Sequence, residues 1–138
     1  MRQDIPNKIR ILLFIYILCF LSGGVHHWLD IIKIGIFPYR NVPFIFNLYL
    51  TSLAIFDFVV IWLICVRPIM GLLLAMVIML SDLVVDSYVG YKYWNISLST
   101  NLGLQLVVAF GIFVFISSPM IIKLLIKYRD EQELFIIR

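Results

Sequence analysis

Asp57, Asp82 and Asp86 fall inside long apolar runs, with His26, Asp30, Asn47 and Gln105 nearer the ends of such runs. A charged side chain at mid-membrane costs about 2.5–3.5 kcal/mol on insertion scales, so one that is kept has a job or a partner. His26 and Asp30 lie one helical turn apart, as do Asp82 and Asp86, so each pair shares a helix face. Opposed, the two faces present an imidazole and carboxylates, a donor set that suits zinc, iron or manganese. His26, Asp30, Asp82 and Asp86 are therefore the candidate ligands for a divalent metal. No fixed metal motif such as HExxH accompanies them, and the sequence requires no cofactor. The simpler alternative leaves Asp30 and Asp86 solvated among lipid headgroups, with His26 hydrogen-bonded to one of them.

Asp57 is the sharper anomaly. It stands ten residues before Arg67, which at the helical rise is ~15 Å and close to the bilayer midplane. An intramembrane carboxylate of this kind is a proton or cation site by default. The competing expectation is a hydrogen bond to Ser, Thr or Tyr on a neighbouring helix, which would glue the bundle together. Asp57, Asp82, Asn47 and Gln105 form the candidate set for ion or proton binding. Other chemistry finds little support. No serine stands in a strained elbow with His and Asp partners. His26 and His27 point about 100° apart, so one helix cannot offer both to one haem iron.

The elements that position these residues follow from composition. The 138-residue chain is 63% hydrophobic and 14% charged, against roughly 45–50% and 25% in globular proteins. With a mean hydropathy of +1.05, a soluble enzyme, a nucleic-acid binder and a disordered tail are excluded. Four apolar runs each reach the ~20 residues that a helix needs to cross the hydrocarbon. They predict helices at about residues 11–32, 43–66, 68–89 and 102–126, in one domain with a short charged tail at 127–138. The fold class is an all-α membrane protein, a four-transmembrane-helix antiparallel bundle. Arg67–Pro68 makes the bend between the second and third helices short, and Pro68 suits a first helical turn. Gly71 and Ala75 form a small-xxx-small spacing for close helix approach.

Lys and Arg set the orientation. With both termini cytoplasmic, Arg2, Lys8, Arg10, Arg67, Lys123, Lys127, Arg129 and Arg138 lie inside. Lys33, Arg40 and Lys92 lie outside, and this excess satisfies the positive-inside rule. The first run has a signal-peptide flavour up to Ser22-Gly23-Gly24, but apolar character continues to Ile32, so it stays a helix. Cys19 and Cys65 sit in apolar segments and suggest no disulfide framework. Trp28, Tyr88, Tyr91, Tyr93 and Trp94 read as an interfacial aromatic belt. Asn95-Ile96-Ser97 matches a glycosylation acceptor, with meaning only in a eukaryotic secretory pathway.

All four helices thus bring polar groups to the outer half, while the inner half is almost purely apolar. That pattern reads as a pocket open outward and closed below. The chain lacks the early-helix glutamate of small multidrug exporters and the cysteine pair of disulfide-forming quinone reductases. The favoured expectation is a protein of the inner (plasma) membrane of a bacterium that binds or moves an ion, proton or small solute. Partners are then the lipid bilayer and either further copies in a homo-oligomer or a larger membrane protein, with no nucleic acid. A protective or immunity protein and a metal-dependent enzyme acting on a lipid or quinone are the alternatives.

Overall fold

The computed structural model describes residues 6–136. It is all-helical, with α1 spanning Asn7–Ile34, α2 Phe44–Val66, α3 Pro68–Tyr93 and α4 Leu102–Ile136. All four helices are long and apolar enough to cross a membrane. Their outward faces carry large apolar side chains such as Ile55, Trp62, Val77 and Ile116, as a lipid-facing surface should.

Helix ends differ from the apolar runs in an instructive way. α1 begins before the expected residue 11, where the Pro6 carbonyl accepts the amides of Ile9 and Arg10 at 2.9 and 3.1 Å. α3 runs past residue 89 to Tyr93, and α4 runs through most of the expected tail to Ile136. Lys127 and Glu131, one turn apart at 3.8 Å, support that extension. Hydropathy marks where lipid ends, whereas the backbone ladder continues into water wherever side chains permit. Arg2 and Arg138, counted in the charge balance, lie outside the described residues.

Chain neighbours pack in order, α1 on α2, α2 on α3 and α3 on α4, and small residues make the contacts close. A Cβ at Gly71 would fall 2.5 Å from the Ile64 amide nitrogen and 2.8 Å from its Cα. Only hydrogen fits there, so Gly71 lets α3 lie against the end of α2 just beyond Pro68. Ala75, one turn on, is fully buried. At the α1–α2 seam, a Cβ on Gly24 would meet the Phe58 ring at 2.9 Å, and one on Gly23 would meet Asp57 Oδ2 at 2.9 Å. Gly23 and Gly24 therefore admit α2 to α1 at the level of its buried aspartate.

α1 and α4 touch over a short stretch only. The junction centres on Tyr16, whose hydroxyl lies 2.8 Å from Ser117 Oγ and 2.7 Å from Ser118 Oγ. Ser117 Oγ donates to the Phe113 carbonyl at 2.6 Å. Tyr16 then shares its proton between Ser117 Oγ and the Val114 carbonyl, 3.3 Å away, while Ser118 donates to Tyr16. Rings pack above and around, with Phe110 and Phe113 centred 6.0 and 5.4 Å from Tyr16 and Phe20 5.4 Å from Phe110.

Gly71→Ala is expected to cost about 1–3 kcal/mol, because the clash is with backbone that cannot rotate away. Gly90→Ala, whose added carbon would sit 3.7 Å from Ile96, should be neutral or mildly stabilising. Thermal unfolding of both variants in detergent checks the pair, and equal losses would contradict this account of the α2–α3 contact.

Candidate functional site

The short α1–α4 junction leaves a cavity of about 810 Å³ beyond it, lined by all four helices and the α3–α4 loop. Phe20, Phe110 and Phe113 form its floor, directly over the Tyr16–serine junction. α2 contributes Leu53 and Asp57, and α3 contributes Ile78, Met79, Asp82 and Asp86. Trp94 and Ile96 of the loop also line it.

Local backbone chemistry places that loop. The Gly90 carbonyl accepts the amides of Trp94 at 3.3 Å and Ile96 at 2.8 Å. Asn95 between them takes a left-handed φ of 52°, a conformation asparagine tolerates. Ile96 is thereby turned back against Gly90 and the cavity. Asn101 Oδ1 then accepts the Leu104 amide at 2.8 Å, capping the start of α4.

The α1–α2 loop is held by a polar chain. Tyr39 donates its hydroxyl proton to Asp30 Oδ2 at 3.2 Å, and His27 Nδ1 lies 2.8 Å from the Tyr39 hydroxyl oxygen. His27 Nδ1–H is then the donor to Tyr39. Burial and the adjacent Asp30 carboxylate push the Tyr39 phenol above its usual range, so it stays a donor. Asn47 Nδ2 donates to the Tyr39 carbonyl at 2.9 Å. The Tyr39 ring lies 6.0 Å from Trp94, so the two loops meet.

Of the ion-site candidates, Asp57 and Asp82 line the cavity, and Asn47 and Gln105 do not. Asn47 fastens the α1–α2 loop, and Gln105 Nε2 donates to the Leu98 carbonyl at 2.9 Å in the α3–α4 loop. Of the metal candidates, Asp82, Asp86 and His26 border the cavity, whereas Asp30 is engaged with Tyr39. His26 Nε2 sits 3.7 Å from Asp30 with its side chain 75% exposed. Among the described residues, no group of three or more His, Cys, Asp or Glu side chains is close enough to hold a metal ion. Of the two neighbouring histidines it is His27, not the candidate His26, that turns inward to the loop.

The carboxylates are poorly served. Asp57 is 6% exposed, and no described side chain forms the hydrogen bond that a gluing role would need. Asp82 Oδ1 is fully buried with no protein donor. Neighbouring Ser81 is occupied, bonding the carbonyls of Val77 and Ile78 and the Tyr49 hydroxyl at 2.7 Å. Among the described residues, no Lys or Arg lines the cavity. The aromatic floor and the Tyr39–Trp94 contact were not legible as site features. Their sequence signals, Tyr16–Phe20 at four residues and Phe110–Phe113 at three, are also those of an ordinary helix-packing stripe.

Comparison with protein-family models, curated proteins and solved structures gives no match.

Asp57→Leu is expected to leave stability unchanged or raise it by about 1–3 kcal/mol, because an unpartnered buried polar group is removed. A loss of stability on thermal unfolding would show that the carboxylate glues the helices. Tyr39→Phe, by contrast, should cost about 1–2 kcal/mol by separating His27 from Asp30.

Proposed function

We propose that the chain is an integral membrane protein that binds a cationic solute in the outer half of an antiparallel four-helix bundle with cytoplasmic termini. One observation carries the reading. Asp82 presents a buried carboxylate oxygen with no donor among the described residues, in a cavity whose described lining also holds Asp57 and Asp86 and no Lys or Arg.

In a low-dielectric setting, a carboxyl group carries either a proton or a counter-cation. The cavity supports this reading with room beside the acids for a counter-cation. Selectivity against anions follows from the same charges. The floor of Phe20, Phe110 and Phe113 and the Tyr16–serine junction beneath it close the cavity toward the inner half. One chain therefore binds without conducting. Movement of the solute across the membrane would need a second copy or a larger membrane-protein partner.

The test uses the full chain in nanodiscs of zwitterionic lipid at constant ionic strength. Chlorides of sodium, potassium, magnesium and tetramethylammonium are titrated while unfolding temperature is read. At least one cation should stabilise saturably, since a ligand at a hundred times its Kd adds about 2.7 kcal/mol. Asp82→Asn should weaken that response about tenfold or more, a difference of about 1.4 kcal/mol. Asp30→Asn, outside the cavity, should preserve it. A protein indifferent to all four salts would sink the reading.

A further inference from the structure

We infer that the cavity's ligand is a lipophilic organic cation, an ammonium-type head on an apolar or aromatic body, that enters from the bilayer between α1 and α4. This rests on the cation-binding reading and narrows it by size, lining and access.

Size comes first. A cavity of about 810 Å³ falls within the range of about 300–1,000 Å³ typical of sites for drug-sized molecules. It far exceeds a bare metal ion, which would need several oxygen ligands closing around it. No described cluster of His, Cys, Asp or Glu does so. The lining divides into two chemistries. Asp57, Asp82 and Asp86 sit on the α2–α3 side, and Phe20, Phe110 and Phe113 sit on the floor. A ligand that satisfies both has positive charge at one end and apolar surface at the other, and the rings themselves favour an adjacent cation. A neutral lipid chain would fill the space but leave Asp82 Oδ1 without a counterpart, and an anion would be repelled.

Access follows from which walls are closed. The aromatic floor seals one end. At the other, Ile96 folds against Gly90 and Trp94 stacks near Tyr39. α2 and α3 form a packed wall, and only the α1–α4 side lacks an extended helix contact. Ser22 on α1 and Leu106 and Ala109 on α4 border the cavity there and are exposed, on a surface that faces lipid. A ligand with an apolar body is already concentrated in that lipid, at about 0.8 kcal/mol per buried methylene.

The probes are tetraphenylphosphonium, its isosteric anion tetraphenylborate, and tetramethylammonium, each added to the full chain in zwitterionic nanodiscs. Tetraphenylphosphonium should raise the unfolding temperature saturably, at a concentration about tenfold or more below that needed for tetramethylammonium. Tetraphenylborate should not, and Asp82→Asn should abolish the phosphonium response. If small cations stabilise as well as or better than the phosphonium, the inference falls while cation binding stands. If no cation stabilises, or the borate matches the phosphonium, both fall. For access, stopped-flow quenching of tryptophan fluorescence reads phosphonium association. Ala109→Phe, or Leu106→Phe should the first variant fold poorly, is expected to slow association about tenfold. Ile96→Phe, on the loop, should not. Slowing by Ile96→Phe alone would overturn the lateral entrance.

Discussion

The architecture turns on the buried hydroxyl of Tyr16. Three of the helix–helix seams join neighbours in the chain and follow from short loops and small residues. The fourth, α1 to α4, has no such help, and its side-chain hydrogen bonds among the described residues converge on Tyr16 with Ser117, Ser118 and the Val114 carbonyl. In hydrocarbon no water competes for these groups, so their pairing decides where the first and last helices can meet. Because they meet there and part beyond, the bundle is closed at one end and hollow toward the other. The aromatic floor is the upper surface of that junction.

The remaining polar groups divide between holding loops and facing the cavity. Asn47, Gln105, Asn101 and the His27–Tyr39–Asp30 chain all spend their hydrogen-bonding capacity on the connections. Tyr49 and Ser81 satisfy each other and the helix backbone. What is left unserved is the set of carboxylates, although hydroxyls and amides lie within a few residues of them in sequence. A fold optimised only for stability would have paired these acids or replaced them with apolar side chains. Here well-bonded loops flank a cavity whose acids have no Lys or Arg beside them among the described residues.

Hydropathy made the number of helices and their approximate positions legible, because lipid imposes length and apolarity on every span. It misjudged their ends at Asn7, Tyr93 and Ile136, since backbone hydrogen bonding does not stop at the lipid boundary. Gly71–Ala75 was readable as a contact because close approach demands small residues. Asp57 and Asp82 were readable as cavity residues because acids in hydrocarbon have few places to go. Asn47 and Gln105 were not separable from them. A polar residue near a helix end serves a loop carbonyl or a ligand equally well, and only the fold of the loop distinguishes the two. The same holds for Trp94, whose aromatic character fits an interfacial belt, while its contact with Tyr39 depends on where the α1–α2 loop carries that ring.

The single residue Arg67 between α2 and α3 also bears on biogenesis. A linker this short favours entry of the two helices together as a hairpin, the pair that Gly71 and Ile64 join in the folded protein. The α1–α4 bond between Tyr16 and Ser118, by contrast, joins residues 102 positions apart. Local hairpin contacts form before a closure of that span, whose entropy cost is met only when the intervening chain is in place. The cavity, which α4 helps to line, is complete only once that last helix has docked.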